Sequence, residues 1–372
     1  MKKYLALFLV VILMSVNLCA CGKQVEAKGT NAADAKQEGS GKKLDIVTTI
    51  FPEYDWVCNL VGGSEGASIT MLLDNSVDLH SYQPTVNDIM KISKCDLFIY
   101  VGGESDEWVD DVLKQATNKN MKVVNLLEAL GDAVKAEEIV EGMEHEHDHD
   151  HEDGDHDHED GDDHDHEDGD HDHEEDDDHD HEDGDHDHDH EHEEEMDEHV
   201  WLSLKNASVL CNEITNALCE LDPANKDVYR ANLDGYQTKL SALDQEYAKA
   251  AQNATYKTLL FGDRFPFRYM VDDYGFSYYA AFAGCSAESE ASFETITFLA
   301  GKLDELQLPA IMTIEGKNHK IAETIRSASK SKNQEILTLD SMQATTSQDV
   351  KNGASYLKIM TDNLEVLKKA IQ

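Results

Sequence analysis

From residue 43 onward the chain alternates two kinds of pattern. Short blocks of consecutive apolar or β-branched residues are followed by stretches whose apolar residues recur every three or four positions. The blocks predict strands and the spaced stretches predict helices. Residues 44–50 read as a strand, followed by a helix through Trp56, Val57, Leu60 and Val61. Residues 68–73 form a second strand, and Thr85 to Asp88 can cap the next helix. A third strand at 96–101 ends at Gly102-Gly103, and a helix at 106–117 and a strand at 122–126 follow. The scheme then repeats, with strands at 257–261, 277–282, 309–314 and 335–339 and helices at 267–274, 293–306, 320–329 and 350–371. Strands alternating with helices predict an α/β protein of two lobes, each a mainly parallel sheet flanked by helices.

Between the repeats lies a different pattern. Asp222-Pro223 supplies an N-cap and a proline suited to the first helical position. Tyr229, Leu233, Tyr236, Leu240, Leu243, Tyr247 and Ala250 then recur at alternating gaps of 4 and 3. That stripe predicts one long rigid helix joining the lobes, about 40 Å from end to end. The organisation expected is an N-terminal lobe at 43–143 and 196–221, a linking helix at 222–254 and a C-terminal lobe at 255–372.

Residues 144–195 fit neither pattern. These 52 positions hold 32 acids, 16 histidines, 4 glycines and no apolar side chain. Such a stretch has nothing to bury against the entropy of ordering its backbone, so a disordered loop is expected. Histidine beside carboxylate is also a metal-collecting composition. The tract carries most of the charge: without its 32 acids the net charge of −46 becomes −14. No basic stripe is present to neutralise phosphates, which argues against nucleic acid and leaves cations as the natural partners.

The first residues read as a secretion signal. Lys2 and Lys3 precede an apolar run, and Leu18-Cys19-Ala20-Cys21 resembles a bacterial lipobox. Residues 1–20 would then be a signal peptide and Cys21 the lipidated residue that anchors an extracytoplasmic protein to the membrane. Residues 22–42 would be a flexible tether. Cys58, Cys95, Cys211, Cys219 and Cys285 remain in the folded part, none in a CxxC pair of the kind a thiolate zinc site favours. Buried thiols or one long-range bridge are expected of them. Cys211 and Cys219, predicted on one helix, are too far apart to pair.

Outside the tract there are three histidines, His80, His199 and His319, each placed where a strand has ended or a helix begins. Ligands of parallel α/β sheets bind outside the carboxyl ends of the strands, so these positions are candidate metal ligands. An enzyme is not indicated, because no HExxH, nucleophile elbow or phosphate loop occurs. Glu288 and Glu290, the available general bases, read as charges preceding a helix that begins near Ser292.

Asp78-Leu79-His80-Ser81-Tyr82-Gln83-Pro84 and Asp197-Glu198-His199-Val200-Trp201-Leu202-Ser203 resemble two ligand segments of one family. It comprises the metal-binding lipoproteins of bacterial ATP-binding-cassette importers for zinc and manganese. The acidic, histidine-rich loop before the second segment is similar to the zinc branch, and the resemblance covers nearly all of 43–372. It implies capture of Zn2+ in a cleft between the lobes, as transported ligand, by a monomer that delivers it to a permease and its ATPase. A surface zinc buffer or metal-dependent adhesin is the alternative. The family's third ligand position falls on Arg264, and a guanidinium has no lone pair to offer. His319 is the preferred substitute, with Asp263 or water as the other options. The resemblance places the fourth ligand at Asp340, which would otherwise cap the following turn. Imidazoles with one carboxylate suit zinc better than manganese.

Overall fold

The computed structural model describes residues 43–62, 66–143, 195–286, 290–316 and 318–372. The signal segment, Cys21, the tether, nearly all of the tract and Glu288 lie outside the described residues.

The first half builds β1 (Leu44–Thr48), α1 (Phe51–Val61), β2 (Ala67–Met71), α2 (Val86–Ile92) and β3 (Leu97–Tyr100). It continues with α3 (Trp108–Lys114), β4 (Lys122–Asn125) and α4 (Leu126–Leu130). Its four strands are all parallel in the order β2-β1-β3-β4. All four residues of β3 are buried, as expected of a central strand covered on both faces. Glu53 fixes the turn from β1 into α1. Its carboxyl group accepts the N–H of Thr49 at 2.8 Å, a donor shared with Ile99 O, and that of Ile50 at 3.2 Å, which is left over at the helix start.

Two helices follow the tract, α5 (Leu204–Leu221) and the rod α6 (Lys226–Gln252). The rod has 27 residues, about 40 Å, and Tyr229, Leu233, Tyr236, Leu240 and Tyr247 of the predicted stripe are buried. Its start differs from expectation. Pro223–Asn225 forms a 3-10 turn, and Asp222 does not cap α6 but accepts from Asn225 Nδ2 at 2.6 Å and the Tyr229 hydroxyl at 2.8 Å. A proline followed by two short residues tightens the chain before the regular helix can begin.

The second half contains β5 (Thr258–Phe265), α7 (Arg268–Tyr274), β6 (Ser277–Ala283), α8 (Phe293–Glu305), β7 (Ala310–Ile314) and α9 (Lys320–Ala328). It ends with β8 (Glu335–Leu339), α10 (Ser347–Lys351) and α11 (Tyr356–Ala370). These strands are again all parallel, ordered β6-β5-β7-β8. The final helix was expected to be continuous, and it is broken instead. Gly353, two residues beyond the end of α10 at Lys351, takes φ +100°, a conformation closed to most side chains.

One apolar core runs through both lobes, and a second, smaller one lies within the C-terminal lobe. The rod packs on α1, α5, α7 and α11. Trp56 of α1 meets Tyr356 of α11 edge to face at 5.3 Å, and the Tyr247 hydroxyl donates to Met360 O at 2.6 Å. Cys211 and Cys219 do share α5, and Cys58, Cys95, Cys211, Cys219 and Cys285 are all free thiols.

Candidate metal centre

His80 sits on a 3-10 turn, Leu79–Ser81, in the loop after β2. Asp78 caps that turn, its Oδ1 accepting the His80 N–H at 3.1 Å. His199 lies just before another 3-10 turn, Val200–Leu202, and is fully buried. Asp197 Oδ1 accepts both the His199 N–H at 2.9 Å and the ring Nδ1 at 3.0 Å. A carboxylate can only accept, so His199 carries its proton on Nδ1 and presents the Nε2 lone pair. His80 is backed in the same manner, with Nδ1 2.7 Å from the Ser105 hydroxyl and 3.4 Å from Glu198 Oε2.

The two Nε2 atoms face each other at 3.2 Å. Two imidazoles on one tetrahedral zinc, with bonds of ~2.0–2.1 Å, hold their nitrogens about 3.3 Å apart. The separation in the protein therefore matches a shared ion. Carboxylate or hydroxyl support behind each ring is the arrangement that fixes metal-binding imidazoles elsewhere.

The surroundings are anionic, with one counter-charge. Arg264, at the end of β5, pairs with Asp78 Oδ2 at 2.7 Å and donates to Ser286 O at 3.4 Å. Burial alone would raise the Asp78 carboxyl, but Arg264 and then His80 outweigh it and hold it below the usual range. Burial likewise raises Glu198, and the hydrogen bonds from His80 and Ser105 outweigh it in turn. Both carboxylates thus stay ionised beside the imidazoles. Arg264 occupies the place of the expected third ligand and cannot serve as one.

None of the remaining sequence candidates belongs, among the described residues, to the group of close donors that includes this pair. His319 is the residue before α9, and its buried Nδ1 has no hydrogen-bond partner. Asp263 lies close enough to interact with it electrostatically, but the Asp263 carboxylate already accepts the N–H groups of Arg264 at 2.9 Å and Ile314 at 3.2 Å. Asp340 follows β8, and its Oδ1 accepts the Met342 N–H at 2.8 Å, closing the turn. Burial and the nearby Glu315 push the Asp340 carboxyl up to about 6.

A residue that sequence reasoning set aside lies close to the pair. Among the described residues, the one group of three metal-ligating side chains whose donor atoms lie within 4.8 Å of one another is His80, His199 and Cys285. The expectation that a thiolate ligand requires a CxxC pair misses it, because separate strand ends can contribute donors one at a time. The available signal was its position, two residues beyond the end of β6. Burial, and then Glu137, Asp197 and Glu198, push the Cys285 thiol well up from its ordinary range.

Fold and site define a class, that of two-lobed α/β proteins with a cluster of candidate metal ligands where the lobes meet. The chain belongs to the family described as "Zinc-uptake complex component A periplasmic" (ZnuA), whose family model matches residues 46–370. It is 28% identical over 370 residues to the high-affinity zinc uptake system protein ZnuA of Bacillus subtilis, covering 100% of this chain and 98% of that one. It is 27% identical over 334 residues to the zinc-binding protein AdcA of Streptococcus pyogenes, covering 90% of this chain but only 57% of that relative's length. Among solved structures, the Zn(II)-bound ZnuA-like domain of Streptococcus pneumoniae AdcA aligns with TM-score 0.62 at 23% identity, over 89% of this chain and 99% of that one. The periplasmic zinc-binding protein TroA of Treponema pallidum aligns with TM-score 0.63 at 21% identity, over 89% and 99%. At these identities the structural likenesses bear on the fold alone.

Proposed function

We propose that this protein captures Zn2+ where its lobes meet, outside the cytoplasm, and delivers it to an ATP-binding-cassette permease and its ATPase for import. The observation that carries the reading is the pair of Nε2 atoms 3.2 Å apart, each ring supported from behind. The family and the zinc-uptake name of the Bacillus relative support the same conclusion. Lipid on Cys21 would hold the protein near the permease at high effective concentration. The histidine-rich tract is a weak collector that raises the local zinc concentration beside His199. The chemistry is binding and release, with no bond made or broken in a substrate.

Titration of the full chain with zinc against a chelator of known affinity tests this. One tight site and several weaker ones are expected. His80→Ala and His199→Ala should abolish the tight site and spare the weak ones, whereas deletion of residues 144–195 should do the reverse. A deletion variant without a tight site would make the tract the principal binder and end this reading. Cells lacking the chain should accumulate less radiozinc from zinc-poor medium.

A further inference from the structure

The geometry points to Cys285 as a third protein ligand of the bound ion, giving a centre of two imidazoles and one thiolate. This rests on the proposed zinc site and specifies its donors. Three observations carry it. The first is proximity, since the Cys285 Sγ and one ring nitrogen each of His80 and His199 lie within 4.8 Å of one another.

The second is that the short turn bearing the thiol is held from both lobes. The Cys285 N–H donates to Glu137 Oε1 at 3.0 Å, and Ser286 O accepts from Arg264 at 3.4 Å. On the other side of the cysteine, Gly284 lies flat against the His199 ring. A Cβ there would come within 3.0 Å of His199 Cε1 and 2.9 Å of Phe265 O, so only glycine lets the turn approach this closely. The backbone that carries the sulfur is thereby held by three neighbours and not left on a free loop.

The third is the chemistry of Arg264. Its guanidinium cannot ligate a metal, yet it spans Asp78, beside one imidazole, and Ser286, beside the cysteine. It therefore acts as a positioning residue, drawing the turn after β6 against the wall that carries His80. A thiolate is a soft anionic donor, well suited to zinc and still better to cadmium, and poorly suited to manganese. Such a centre should rank soft dications above hard ones more steeply than a centre built of imidazole and carboxylate alone.

Cobalt(II) reports the difference directly, because thiolate ligation produces an intense near-ultraviolet charge-transfer band that nitrogen and oxygen donors do not. The tract contains no cysteine, so cobalt held there is silent in that band. Titrating the full chain should develop the band as the tight site fills. Cys285→Ser should lose it, and its zinc affinity should fall by at least the roughly tenfold that loss of a mere supporting residue costs. Cys58→Ser should keep both. In the unaltered protein loaded with one equivalent of cadmium, the cadmium-113 resonance should show the downfield shift of a thiolate-bound ion. This second measurement decides the matter even if Cys285→Ser does not fold. A tight site without the band, a band that survives in Cys285→Ser, or a cadmium resonance in the range of nitrogen and oxygen donors alone would overturn the assignment and leave the zinc-capture reading standing. Absence of any tight site in the unaltered protein would remove both.

Discussion

In the proposed site His199 offers Nε2 to the ion because Asp197 holds the proton on the other ring nitrogen, 3.0 Å away. An amide at that position can rotate to offer either its oxygen or its nitrogen, so the tautomer is no longer enforced. Asp197→Asn should therefore weaken zinc binding by roughly 10–100-fold with the fold intact, as read by chelator competition and circular dichroism. Asp340→Asn and His319→Gln should cost less than Asp197→Asn, since neither residue belongs to the close donor group. An equal or larger loss in Asp340→Asn would show that this carboxylate moves onto the ion when it binds. At this scale the sequence was legible where residue type is rare. Three histidines outside the tract made His80 and His199 conspicuous. Cys285 was not legible, because its role depends on β5 and β6 ending beside the loop after β2, a juxtaposition that no local spacing encodes. Arg264 announced that the usual third donor was missing without revealing its replacement.

Helices α1, α6 and α11 meet around Asp55, which is buried and accepts the Tyr356 N–H at 3.2 Å and the Tyr236 hydroxyl at 3.5 Å. Burial pushes its carboxyl up to about 6 from an ordinary 3.8. A carboxyl that ionises later in the folded than in the unfolded chain contributes fully below its unfolded value and loses that contribution as pH rises through the folded one. Asp55→Asn removes the ionisation. Between about pH 4.5 and about pH 7.5 its stability should shift in its favour, relative to the unaltered protein, by roughly 2 kcal/mol. Chemical denaturation at the two pH values measures the change, and no shift would mean that the carboxylate is solvated in the folded state. The elements themselves were readable because buried parallel strands are continuous apolar runs and the rod shows a regular stripe. The break between α10 and α11 was not. Apolar spacing continues across it, and the single conformational demand at Gly353 decides the outcome.

The whole molecule has little freedom to hinge. One core runs through both lobes and the rod, and Trp201, beside His199, donates across the junction to Ser341 O at 2.8 Å. Zinc loading should therefore act locally. For the variant lacking residues 144–195, small-angle scattering should give a radius of gyration of roughly 20 Å, the same with and without zinc. A clear contraction on loading would mean that the lobes close as rigid bodies. The same variant should unfold at an unchanged temperature, because the two points where the tract leaves the body are already joined. Ala136 pairs with Met196 in an antiparallel bridge and the Asp197 N–H donates to Lys135 O at 2.9 Å, and the deletion leaves both contacts in place.

That small clasp makes the site next to His199 a splice point. Whatever is inserted between its two ends inherits an address beside the ion without disturbing the frame, and doubling the length of a flexible insert adds only about 0.6 kcal/mol of closure entropy. Descendants of this gene are thus free to lengthen, shorten or rewrite the segment as metal supply changes. A protein engineer could graft a chelating or luminescent peptide at the same place.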